Sequence, residues 1–194
     1  MCIRDSYQSW RYFDHVRSDI RKQFQFRSST VAAINSFLSD SAKLLPHDSS
    51  ESYVFVGLHV RRGDLLDSYN ANKGYTVADA AYLSRAMNYF GKKYHGVVFV
   101  VCSDDLLWST SNVQSSLPNV AVVFSKFSAL SPEFDLALLS HCNHSIITVG
   151  SFGWWAAWLA GGETVYFRDF PRLDSSLRED FRMGDYYLPQ WIAM

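Results

Sequence analysis

Two stretches of the chain carry residue types that can do chemistry. The first is "VGLHVRRGDLL", residues 56–66, where a histidine, two arginines and an aspartate follow an apolar run. His59 and Arg61 lie two apart, so on an extended strand they face the same way, with Arg62 opposite unless the chain turns first, which Gly63 permits. An arginine presents a planar fork of donors that matches phosphate oxygens and keeps its charge at any ordinary pH. Such a strand end suits a diphosphate; the alternative is that Arg61 and Arg62 only pair with the nearby Asp64 and Asp67. The second stretch is "VGSFGWWAAWLAGG", residues 149–162. Gly150, Ser151 and Gly153 lead into a helix whose first N–H groups are free to meet an anion, and the small residues let a ligand approach. Ser151 can cap that helix or bond a phosphate, while Trp154, Trp155 and Trp158 read as core or a sugar-facing wall; an ordinary capped core helix is the competing reading.

Other groups weigh less. "HCNH", residues 141–144, lacks the further ligands a metal needs. Asn143-His144-Ser145 spells a glycosylation sequon, but it runs straight into an apolar strand where a glycan would not fit. Asp135 sits early in a helix, where it can cap that helix or hold a ribose or an arginine. No Asp-x-Asp pair, no Gly-rich phosphate loop ending in Lys-Ser/Thr and no Gly-x-Gly-x-x-Gly occurs. A bound diphosphate must then be met by arginines and a helix terminus, with no metal and no cofactor expected.

These residues need elements to position them. "YVFVGLHV" reads as a strand covered on both faces. After it come the helix "TVADAAYLSRAMNYFGKKY" with Thr76 as N-cap, the strand "GVVFVVC", and a helix "DDLLWSTSNVQ" capped by Ser103 or Asp104. The strand "VAVVF", the helix "PEFDLALLSHC" opened by proline, the strand "HSIITVG" ending at Val149, the short tryptophan helix and the strand "ETVYF" complete the alternation. Strands alternating with helices predict an α/β fold with a parallel sheet, in which ligands bind outside the carboxyl ends of the strands. Before it, Trp10 to about Asp40 has helical periodicity, and "LLPHDSSES" reads as a linker.

The bulk properties agree with one globular domain and leave room for part of a second. In 194 residues, 18 basic side chains balance 19 acidic ones, so no electrostatic footprint for nucleic acid exists. Cys2, Cys102 and Cys142 form no disulfide framework. No apolar run approaches the roughly 18 residues of a membrane span. The opening "MCIRDS" is unlike the rest of the chain, and the natural protein is expected to begin further upstream.

Taken together, "GLHVRRGD", "FDLALLSHCNHSIITVGSFGWWAAWLAGGETVYF" and "YYLPQW" resemble the galactoside α-1,2-L-fucosyltransferase family, and "YQSWRYFDHVRSDIRKQF" is similar to the stretch preceding its arginine motif. The resemblance runs from about Tyr7 to Trp191. The His-x-Arg-Arg-x-Asp core is shared with α-1,6- and protein-O-fucosyltransferases; joined to "CNHSIITVGSFG" it is far more specific. The family resemblance implies a GT-B-type enzyme of two Rossmann-like lobes, with residues 46–194 the GDP-fucose-binding lobe and 1–45 a helical remnant of the acceptor-side lobe. It implies inverting, metal-independent transfer of fucose to the 2-hydroxyl of a terminal galactose on a glycan, in the Golgi membrane, through an N-terminal anchor not in this chain. By resemblance, Arg61, Arg62 and Asp64 are the catalytic residues, and His59, Arg61, Arg62, Asp135, Gly150, Ser151 and the backbone through Phe152 hold GDP-fucose. The competing expectations are a fucosyltransferase of another linkage and a non-catalytic GDP-sugar-binding module.

Overall fold

The computed structural model describes residues 9–45, 53–126 and 131–194. Most of the expected linker, residues 46–52, and the opening "MCIRDS" lie outside them. Six parallel strands form one sheet: β1 (Tyr53–Val60), β2 (Gly96–Ser103), β3 (Val120–Phe124), β4 (His144–Ile147), β5 (Thr164–Tyr166) and β6 (Ile192–Ala193). Their spatial order is β3-β2-β1-β4-β5-β6. The order reverses between β1 and β4, and in open parallel sheets the crevice that binds ligands lies at such a reversal, outside the carboxyl ends of the strands.

Helices α1 (Arg17–Gln23) and α2 (Ser28–Ala42) precede the sheet. Between the strands run α3 (Ser68–Lys73), α4 (Ala80–Lys93), α5 (Leu106–Asn112), α6 (Pro132–Ser140), α7 (Ser151–Ala160), α8 (Ser176–Asp180) and α9 (Met183–Tyr186). Strand alternation assigns the two faces. Val56, Leu58 and Val60 of β1 and Val97, Phe99 and Val101 of β2 bury against Tyr82, Leu83, Met87 and Phe90 of α4. Val98, Val100 and Cys102 bury against Ile34 and Leu38 of α2 and Leu138 and Leu139 of α6. Both faces are covered, which is why β1 and β2 are apolar at nearly every position.

The segment before residue 46 docks on this lobe. Phe13 meets Trp154, Trp155 and Trp158 with ring centroids 5.9, 5.2 and 5.6 Å away, and the Trp10 indole donates to the Gly184 carbonyl at 3.3 Å. The helical stretch is interrupted at Phe24–Arg27.

Three sequence expectations change. Helix α4 begins at Ala80, and its cap is Asp79, which accepts from the Tyr82 N–H; Thr76 instead donates its hydroxyl to the Asp169 carbonyl. Helix α5 is capped by Asp105, because Asp104 is taken by the Arg62 N–H and Ser103 accepts from the Asp105 N–H. Strand β4 ends at Ile147 rather than Val149; beyond it the Thr148 hydroxyl, not a strand carbonyl, accepts the Arg61 N–H at 2.9 Å.

Candidate functional site

The period-two alternation of β1 continues past its end. His59 and Arg61 turn toward the start of α7, while Arg62 turns to the other face. Gly150 precedes α7 with φ 93°, a left-handed conformation that strongly favours glycine. A β-carbon there would stand 3.3 Å from Arg61 Cδ, so Arg61 lies across the loop that opens α7. Three residues on, a β-carbon on Gly153 would stand 2.6 Å from His59 Nδ1. The imidazole thus fits against the helix backbone itself, with Phe152 beside it at a ring separation of 5.0 Å.

Burial, and secondarily the Arg61 charge, push the His59 pKa down to about 3, so the ring is neutral at physiological pH. Its Nδ1 is buried and finds no hydrogen-bond partner among the described residues. Arg61 is more exposed and donates to Asp64 at 2.8 Å. Ser151 is the first residue of α7; Gly150 is the N-cap and no side chain caps the helix, so the first N–H groups of α7 keep their free valence.

Arg62 is differently placed. Its side chain is only 12% exposed, its guanidinium carbon lies 3.7 Å from the Trp108 ring centroid, and its Nε is 3.5 Å from Asp105 Oδ2. Arg61 and Arg62 therefore serve opposite faces of the strand end, as the two-residue repeat of a strand leads one to expect. Asp135, early in α6, is buried, and the Ser125 hydroxyl that follows β3 donates to it at 2.5 Å. It does not cap α6, whose N-cap is Ser131. Beside it, burial first and Asp135 second push the Cys102 thiol well up. Cys102 pairs with His59 across β1 and β2, which places Asp135 one strand away from the imidazole.

Among the described residues no three His, Cys, Asp or Glu side chains gather as a metal site, and no helix is long and apolar enough to cross a membrane. At the sequon, the Asn143 carboxamide oxygen accepts the Phe55 N–H at 2.8 Å.

The glycosyl transferase family 11 profile matches residues 4–194. The chain belongs to that family. Among family 11 relatives, the galactoside alpha-(1,2)-fucosyltransferase 1 of Sus scrofa is 38% identical over 186 residues, and the galactoside 2-alpha-L-fucosyltransferase Sec1 of Mus musculus is 37% identical. Each alignment covers 96% of this chain and 50% or 49% of the relative, so the chain spans about half the length of the curated relatives it matches. Among solved structures, a glycosyl transferase family 9 protein from Veillonella parvula DSM 2008 superposes with a TM-score of 0.52 at 15% identity, over 88% of this chain and 40% of that one. At that identity the likeness speaks to the fold alone.

Three roles at this family 11 crevice are not legible in the sequence. Thr148 fixes the Arg61 N–H, Asp104 fixes the Arg62 N–H at 2.8 Å, and Gly153 admits the His59 ring. Gly153 does carry a signal: a glycine in the first turn of a helix costs about 1 kcal/mol against alanine, which a close approach offsets.

Proposed function

We propose that this chain is the nucleotide-sugar lobe of a galactoside 2-α-L-fucosyltransferase. It would bind GDP-fucose, and fucose would pass with inversion to the 2-hydroxyl of a terminal galactose on a glycan. The observation that carries the reading is the convergence of Arg61 and His59 on the uncapped start of α7, at the point where the strand order reverses.

In this proposal the departing diphosphate gathers negative charge as the glycosidic bond breaks. Arg61 meets it with a charged fork, and α7 meets it with backbone N–H groups and the positive end of its dipole. Ser151 adds a hydroxyl, and His59 adds a neutral ring. Asp135 faces the ribose side, and Phe152 walls the site. Asp64 is the resting partner of Arg61. Their exposed pair is worth about 0–1 kcal/mol, whereas each charge-assisted bond to phosphate is worth roughly 1.5–3 kcal/mol, so the diphosphate displaces Asp64. On this proposal residues 1–45 are a helical remnant of the acceptor-side lobe, and the enzyme works at the Golgi membrane.

The test is fucose transfer from GDP-fucose to a β-galactoside by the full-length protein. Arg61→Ala is expected to lower the rate by ~10²–10³ with the fold intact, the usual cost of removing one preorganised donor. Transfer at the unsubstituted rate would defeat the proposal.

A further inference from the structure

The family resemblance gives Arg62 to the GDP-fucose site, yet each contact its side chain makes is with α5, its cap or the residues before α4. Its guanidinium stacks on Trp108, faces the Asp105 carboxylate, and donates through Nη1 to the Ala78 carbonyl at 3.4 Å. To reach a phosphate it would have to give up all three. Asp105 and Trp108 are also locked to each other, because Asp105 caps α5 by accepting the Trp108 N–H at 3.1 Å.

The backbone supplies a second, independent constraint. Two consecutive N–H groups leave β1 at its end, and each is held by a side chain from a different neighbour. Arg61 N–H bonds the Thr148 hydroxyl, which follows β4; Arg62 N–H bonds the Asp104 carboxylate, which follows β2. Fixing both peptide units restrains the backbone dihedrals of Arg61, and with them the direction in which its side chain leaves the chain.

We infer that Asp104, Asp105 and Trp108 are positioning residues that hold Arg62 as a tether and thereby aim Arg61 at the diphosphate. The inference rests on the reading of this crevice as the nucleotide site. Arg62 on this account touches no phosphate. Its charge alone is not enough, since a lysine cannot lie flat on an indole as a guanidinium does.

The experiment is calorimetric titration of the chain with GDP and with GMP, alongside thermal unfolding. The ratio of the two affinities isolates recognition of the terminal phosphate. Arg61→Ala is expected to lower the ratio by roughly tenfold or more, the loss of at least one charge-assisted bond. Trp108→Leu, Arg62→Ala and Arg62→Lys are each expected to lower it by about three- to tenfold, with GMP affinity unchanged, and Trp108→Phe to restore it. The double variant Arg62→Ala/Trp108→Leu should be no worse than either single, because both remove one tether.

A ratio unchanged in Trp108→Leu overturns the inference. So does an Arg62→Lys protein that keeps the ratio while Arg62→Ala loses it, which would make Arg62 a phosphate ligand. A parallel fall in GMP affinity also overturns it, by reducing Trp108 to a general support of the fold. Should Trp108→Leu fail to fold, Asp104→Ala against Asp104→Asn decides the matter: loss of the ratio in the first and recovery in the second supports the tether, and no change in either overturns it. An Arg61→Ala protein with undiminished GDP affinity would instead sink the nucleotide-site reading itself.

Discussion

Gly153 approaches His59 so closely that a β-carbon on it would stand 2.6 Å from the imidazole Nδ1. The strand end and the start of α7 are therefore fitted to each other through one glycine. Gly153→Ala gains about 1 kcal/mol of helix propensity but forces the ring or the helix to shift, at a cost of roughly 1–3 kcal/mol. The clash wins on balance. The expected outcome is a lower melting temperature and weaker GDP binding together, read by thermal unfolding and titration; an unchanged protein would show that the contact is loose.

The same burial gives His59 a pH signature. Its folded pKa of about 3 lies below the ordinary value of 6.5, so the unfolded chain takes up the proton first as pH falls. The stability His59 contributes by staying neutral is fully present above about pH 6.5 and is lost progressively as pH falls toward 3. Between pH 7 and pH 5 this amounts to roughly 2 kcal/mol. Denaturant unfolding should show His59→Gln losing less stability over that interval than the unsubstituted protein, by about that amount. Equal slopes would mean the ring is not held neutral.

Phe13 tests whether the N-terminal segment is part of the lobe's core. It is packed among Trp154, Trp155 and Trp158, and truncating a partly buried aromatic costs about 2–3 kcal/mol, somewhat less than the loss of a fully buried one. Phe13→Ala should lower the unfolding free energy by that amount in a single transition. A separate early transition for residues 9–45 would show that the segment folds apart from the sheet.

Much of this architecture is visible in the residues themselves. "YVFVGLHV" matches β1 residue for residue, because a strand covered on both faces is apolar at nearly every position. The pairing of His59 with Arg61 and the opposed Arg62 follow from the two-residue repeat alone. Strand β6 could not be read, since Ile192 and Ala193 are too few to show a period. The cap of α5 is ambiguous in the sequence because Ser103, Asp104 and Asp105 are all good caps; the tertiary demand of the Arg62 N–H on Asp104 decides among them. Trp108 gives no signal either, as its stack on Arg62 exists only because β1 and β2 lie side by side.

Fucose transfer should persist in EDTA. With no Asp-x-Asp pair in the chain, the diphosphate charge is assigned to Arg61 and the start of α7. Transfer assays with and without chelator should agree within about twofold, as far as P–O charge is met by fixed donors rather than by an ion. Strict metal dependence would contradict that assignment.

The most direct measurement is a crystal structure of the chain with GDP. The terminal phosphate is expected with its oxygens about 3 Å from the Arg61 guanidinium and from the first N–H groups of α7, with the Arg61–Asp64 pair opened. GDP bound elsewhere, with that pair still closed, would contradict the account.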